Sequence, residues 1–159
     1  MNGICQDIDK FSDAIGEKSA LIGLDFGTKT IGVAVSDRLQ TVATPRETIK
    51  RRKFGLDADV IDQLVAENEI AGIVLGLPMN MDGSEGPRAQ STRAFARNLA
   101  GRINLPIFFW DERLSTVAAE RALLEADMSR KKRAIVIDNV AASYILQGVL
   151  DRLSHKRRL

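Results

Sequence analysis

Short apolar runs alternate with stretches of helical spacing along this chain. Leu21–Leu24 and Ile31–Val35 are two such runs joined by Gly27-Thr28-Lys29, the arrangement of a hairpin between buried strands. Thr41 to Ile49 reads as a third strand, and Pro45 places it at an edge or a bulge. A loop holding Arg51, Arg52, Lys53 and Gly55 leads to Asp57 as an N-cap. Val60, Ile61, Leu64 and Val65 then recur at helical spacing to about Asn68. Ile70–Leu75 is a buried strand ended by Gly76 and Pro78, and a loop rich in Asn, Asp and Gly follows. The remaining pattern predicts a helix from about Glu85 to Ile103 and a fifth strand over Pro106–Trp110. A helix capped by Ser115 or Thr116 and ending near Ala126 comes next, then a last helix from about Val136 to Leu153.

This order of elements is that of an α/β layered fold, a mixed five-stranded sheet flanked by helices in a single domain. Right-handed crossovers place the fourth and fifth strands beside the first in parallel. Their carboxyl ends, bearing Gly76 and Asp111-Glu112, then open toward one crevice, with Asp25 facing it from the end of the first strand. The domain is expected over residues 19–154. Residues 1–18 read as an N-terminal extension, a short helix or disordered, and residues 155–159 as a basic tail.

Composition narrows the chemistry. The 159 residues contain a single cysteine, Cys5, and a single histidine, His155. Zinc-ligand spacing is absent, and no Ser-His or Cys-His pair can form within the core. Any catalysis falls to carboxylates. The formal net charge of +2 is too small to announce a nucleic-acid binder by itself. Basic clusters at Arg51-Arg52-Lys53, Arg130-Lys131-Lys132-Arg133 and His155-Lys156-Arg157-Arg158 can still contact phosphates locally, although each alone is also what a solvated loop looks like. No segment approaches the ~18 apolar residues of a membrane span and none reads as a secretory signal, so a cytoplasmic setting is expected.

Four segments carry the candidate chemistry: LIGLDFGTKTIGVAVSD, IVLGLPMNMDG, FFWDERLST and VIDNVAASYIL. Asp25 ends one apolar run, Glu112 follows another, and Asp138 opens an apolar helix. In this order the segments resemble those of the YqgF (RuvX) family, RNase H-like proteins named as pre-16S rRNA nucleases and earlier as Holliday junction resolvases. The likeness runs from about Leu21 to Leu153. It implies an RNase H-like fold, metal-binding carboxylates at Asp25, Glu112 and Asp138, and cleavage of a phosphodiester in structured RNA during 5′-end maturation of 16S rRNA. Family members commonly have Arg after the Lys of the first motif, whereas Thr30 follows Lys29 here.

Hydrolysis of a phosphodiester needs an activated water and charge relief on the leaving oxygen, which a pair of Mg²⁺ or Mn²⁺ ions provides. Asp25 is the expected bridging ligand, with Glu112 and Asp138 holding one ion each. Plainer roles exist for all three. Asp25 could accept hydrogen bonds from the Gly27 turn, and Asp138 could complement its helix dipole. Adjacent strand residues point to opposite faces, so Asp111 competes with Glu112 and is otherwise a partner of Arg113. Trp110 reads as core packing. Substrate contacts are expected from Lys29, from the Gly76-Leu77-Pro78 turn and Asn80, from Arg113, and from Lys132 and Arg133. Arg93 and Arg97 share a helix face that either tracks a nucleic-acid backbone or is simply solvated.

The expected partner is nucleic acid, pre-16S rRNA or a pre-ribosomal particle, bound by a monomer or weak dimer. Three other readings compete. A branched-DNA resolvase needs a symmetric dimer. A ribosome-assembly factor would carry its carboxylates for structure alone. An actin/Hsp70-like nucleotide-binding lobe matches LDFGTK, but one domain is too short for the two lobes such ATPases need.

Overall fold

The computed structural model describes residues 3–114 and 130–158, with the side chains of the last helix described from residue 140 onward. The helix expected between Ser115 and Ala126 lies outside these residues. Strands β1 (Ile4–Cys5), β2 (Ala20–Phe26), β3 (Thr30–Ser36), β4 (Ala43–Pro45), β5 (Ile49–Lys50), β6 (Ile70–Leu77) and β7 (Ile107–Asp111) form one seven-stranded sheet. Among the described residues the helices are α1 (Ile8–Ile15), α2 (Phe54–Glu67), α3 (Pro87–Ala100) and α4 (Arg130–Arg158).

The sheet runs β1-β7-β6-β2-β3-β4, with β5 also on β3. The expected hairpin is present: β2 and β3 pair antiparallel with Asp25 opposite Gly32. The expected parallel core is present as well, β6 lying beside β2 and β7 beside β6. Seven strands replace the expected five for two reasons. The segment from Thr41 to Ile49 splits into β4 and β5, with Pro45 at the sheet edge where its missing N–H is harmless. The other addition is β1, which pairs parallel to β7.

The N-terminal segment is therefore built into the domain. Asp7 caps α1 by accepting from the Lys10 amide at 2.8 Å. Phe11, fully buried, stacks on Phe108 at 5.4 Å between ring centroids. Room for α1 comes from Gly72, where a Cβ would meet Ile15 Cγ2 at 2.6 Å and Phe11 Cζ at 3.0 Å.

Side chains alternate across the central strands and separate two cores. Ile22, Leu24, Ile73, Leu75 and Ile107 face α2 and α3. Leu21, Val74 and Trp110 face α4, whose Ala142, Ile145, Leu146 and Val149 are buried against them. Trp110 is thus core, as expected.

Several boundaries differ from the sequence reading. Helix α2 starts at Phe54 with Lys53 as N-cap. Asp57 lies inside the helix, where its carboxylate accepts from the Arg52 amide at 3.0 and 3.2 Å. Helix α3 is shorter than expected, held to its start by Gly86 and by Pro87 at the first position. The basic run Arg130–Arg133 is the first turn of α4, not a loop. The C-terminal residues stay helical through Arg158, and Arg157 donates to Gln40 Oε1 at 2.7 Å and to the Gly16 carbonyl at 3.1 Å.

Candidate active site

Asp25 is the sixth residue of β2, and its side chain takes the face toward α4, in step with Leu21 and Gly23. It is 2% exposed. On the neighbouring strand Gly76 follows Leu75, the partner of Leu24, and is itself paired with Trp110. Strand β7 ends at Asp111, so Glu112, 9% exposed, opens a short 3-10 turn. Its carboxyl carbon stands 3.5 Å from where a Gly76 Cβ would be. Two buried carboxylates, one from β2 and one from the turn after β7, therefore flank a residue without a side chain. Any larger residue at that position would press on Glu112 and on Ile145.

Asp111 and Glu112 sit in different surroundings. Asp111 is held by Arg113 through the backbone amide at 2.9 Å and the guanidinium at 2.7–3.1 Å. These bonds to Arg113 keep the Asp111 carboxyl below the usual carboxylate range. Glu112 alone is buried beside Gly76.

Helix α4 crosses the sheet face directly over this corner. Gly23 permits its approach, since a Cβ there would stand 2.7 Å from Leu146 Cβ and 3.1 Å from the Ala142 carbonyl. At the far end of the helix, Arg157 reaches Gly16 and Lys156 pairs with Asp9 at 3.4 Å, close to the amino-terminal end of β2. The helix thus runs against the direction of β2, and its amino-terminal half heads toward the Asp25 end of the sheet. Asp138 sits in that half, one turn before Ala142. With α4 starting at Arg130, Asp138 is two turns inside the helix, and a terminal-dipole role, which fades within the first turn, no longer accounts for it.

The side chains of Asp138, Lys132 and Arg133 lie outside those described. Among the described residues no three acidic, histidine or cysteine side chains are grouped to hold a metal.

The other expected contacts are dispersed around this corner. Lys29 is exposed at the tip of the β2–β3 turn, and its carbonyl accepts from the Arg51 amide at 2.9 Å. Pro78 follows the end of β6. Asn80 donates to Ser84 Oγ at 2.9 Å and belongs to a turn closed by Asp82, whose carboxylate accepts from Ser84. Those Ser84 bonds also hold the Asp82 carboxyl below its ordinary value. Arg113, expected at substrate, spends its guanidinium on Asp111 and reaches the Met81 carbonyl at 3.4 Å. Its position ties the Asn80–Ser84 turn to the end of β7. Arg93 is paired with Glu85 at 2.6 and 2.8 Å and lies over Phe109, whereas Arg97 is exposed.

The sequence reading missed the contribution of Arg51. It lies over the Phe26 ring, 4.1 Å from the centroid, and donates to the carbonyls of Gly27 and Thr28 at 2.8 and 3.1 Å. The only signal for it was the basic run at 51–53.

A mixed sheet with buried carboxylates at the carboxyl ends of parallel strands, crossed by a long helix, is the arrangement of RNase H-like folds. The solved structure "T. thermophilus RuvC in complex with Holliday junction substrate" has this fold, with a TM-score of 0.54 at 10% identity, covering 86% of this chain and 96% of that one. Residues 19–152 match the RuvX family, described as Holliday junction resolvase, and the chain belongs to that family. A relative from Ruegeria pomeroyi named "Putative pre-16S rRNA nuclease" is 68% identical over 150 residues, covering 94% of this chain and 97% of that protein. One of the same name from Rhodobacter capsulatus is 66% identical over 155 residues, covering 98% of both.

Proposed function

We propose that this chain is a metal-dependent nuclease that hydrolyses phosphodiester bonds in structured RNA, acting in the bacterial cytoplasm on the 5′ end of pre-16S rRNA. The observation that carries the reading is the placement of buried Asp25 and Glu112 on either side of Gly76. The names of the relatives supply the substrate class.

Asp25, Glu112 and Asp138 would hold Mg²⁺ or Mn²⁺. The donor set fits, because hard divalent cations prefer carboxylate oxygens, and Gly76 leaves open the space the two described carboxylates border. Like charges brought together out of water repel each other, and a cation offsets that repulsion. When bound, the metal relieves charge on phosphorus oxygens and lowers the pKa of water at the site. The chain itself supplies rigidity: Asp25 comes from a central strand, Glu112 from a turn anchored at its neighbours by Asp111 and Arg113, and Asp138 from a long helix. Lys29 and the Asn80–Ser84 turn border the approach, and Lys132 and Arg133 lie one to two turns before Asp138 on the same helix.

The test pairs cleavage with metal binding. Trp110, the sole tryptophan, lies two residues before Glu112 and reports Mn²⁺ titration through its emission. Asp25→Asn and Asp138→Asn are expected to abolish cleavage of an rRNA precursor and to remove the Mn²⁺-dependent rise in melting temperature. For the wild type that rise corresponds to about 2.7 kcal/mol at a hundredfold excess over Kd. A folded Asp25→Asn protein that cuts at the wild-type rate refutes the reading. Preferential cutting of a synthetic four-way junction over the precursor redirects it to branched DNA.

A further inference from the structure

On the opposite face of β2 from Asp25, Phe26 begins an aromatic cluster outside the carboxylate corner. It stacks on Phe95 at 4.2 Å with the rings 15° from parallel, and Phe54 meets Phe95 edge-on at 5.9 Å. The cluster borders an open cleft of about 240 Å³, walled by Arg51 and Arg52 on one side and by Ser91 and Asn98 of α3 on the other. A second, larger cleft adjoins it through Arg52 and continues past Lys50 to Arg46. Residues 46–53 contain five basic side chains and one acidic one.

Three features separate this place from an ordinary solvated basic loop. The Arg51 guanidinium is already fixed, by two backbone carbonyls and by Phe26, so little freedom is lost when it meets a ligand. The backbone that presents Arg52 is pinned by the buried carboxylate of Asp57. The Arg51 guanidinium, one face of which lies on Phe26, offers the kind of plane on which unpaired bases stack, with Ser91 and Asn98 offering hydrogen bonds to a base edge. The volume lies below the roughly 300–1,000 Å³ of sites for drug-sized ligands, which suits a single base.

We propose that this cleft is a nucleotide subsite that takes an unpaired base, with Arg51 and Arg52 on its phosphates. The base belongs to the same strand whose scissile bond lies at the carboxylates. The inference rests on the nuclease reading. Asp25 and Phe26 are consecutive and point to opposite faces, so a strand that passes over the Lys29 tip of the hairpin can serve both places.

Binding is measured by fluorescence anisotropy in EDTA, where nothing is cut, with labelled oligouridylate and oligothymidylate as probes. Ser91→Trp fills the cleft from an exposed position without removing a charge, and Arg52→Met removes a charge while keeping the stem. Each is expected to weaken binding roughly five- to hundredfold with an unchanged melting temperature. A loss confined to the RNA probe assigns a ribose contact, and a loss on both assigns the base alone; either supports the subsite. If Ser91→Trp lowers the melting temperature, Arg52→Met decides, together with the crosslinking site of a 4-thiouridine probe, expected on residues 51–54 or 91–98. Tight wild-type binding unaffected by both substitutions overturns the subsite and leaves the nuclease reading intact. Absence of wild-type binding to any RNA overturns both.

Discussion

Replacing Gly23 with alanine tests whether the seat of α4 on the sheet governs the chemistry. The new Cβ would stand 2.7 Å from Leu146 Cβ, with the Ala142 carbonyl at 3.1 Å, whereas ordinary contacts begin near 3.4 Å. The atoms in the way are backbone or next to it, so no rotamer change relieves the clash and α4 must lift by about 0.7 Å, the difference between 3.4 and 2.7 Å. Overpacking of this kind costs about 1–3 kcal/mol, and replacing glycine inside a strand returns roughly 0.5–1 kcal/mol of backbone entropy. The net loss of up to about 2.5 kcal/mol lowers the melting temperature by up to roughly 10 °C for a chain of this size. The larger effect is on rate. On the proposed ligand set, a lifted helix carries Asp138 away from Asp25 and Glu112, and a misplacement near 1 Å costs on the order of a hundredfold.

The assay is RNA cleavage at 25 °C, well below the melting transition, beside a thermal melt. Gly72→Ala is the control, because its Cβ meets Ile15 and Phe11 of α1 instead. It should destabilise without slowing cleavage. A Gly23→Ala protein that melts lower but cuts at the wild-type rate refutes the coupling of helix position to catalysis. One that melts and cuts like wild type refutes the close approach itself.

Two further outcomes follow from the packing and the ion pairs. Phe11→Ala should cost about 3–5 kcal/mol as a large-to-small core change, lowering the melting temperature by roughly 6–20 °C; a shift under about 2 °C in a thermal melt would return residues 1–18 to the status of an appendage. The Asp111 carboxyl titrates below its unfolded value because of Arg113, so its contribution to stability is present above about pH 4 and is lost as pH falls through the lowered folded value. Melts of wild type and Asp111→Asn should differ at pH 6–7 and converge in acid, and a gap that persists below the folded value contradicts the assignment.

The parts of this fold written in local periodicity were legible. The β2–β3 hairpin, the buried run of β6 and the parallel placement of β7 each follow from an apolar run and its turn residues. Strand alternation puts Asp25 on the face of Leu21 and Gly23, whereas the place of Glu112 depends on where β7 ends and its 3-10 turn begins. What was not legible depended on partners distant in the chain. Two-residue β1 has no period to detect, although Asp7 followed by Ile8, Phe11 and Ile15 at helical spacing did signal α1. Asp57 looked like a cap by residue type, and its bond to the Arg52 amide is a different use of the same carboxylate. Arg93 looked available to a nucleic-acid backbone because nothing local shows that Glu85 holds it, whereas the pairing of Arg113 with Asp111 was legible as one alternative.

Helix α4 joins the fold to the candidate site in a way that neither motif nor period reveals. Gly23 and Gly76, two residues apart in level on neighbouring strands and on the face of Asp25, remove the side chains that would hold the helix off. Gly148 does the same from the helix side, where a Cβ would stand 2.6 Å from the Trp110 ring. These absences bring Ala142, Ile145 and Leu146 into the core, and Asp138 lies one turn before Ala142 on the same helix. On the proposed ligand set, packing and ligand spacing are then one geometric variable. Substitutions at this interface should move stability and activity together, while those under α1, on the same face but away from the strand ends, should move stability alone.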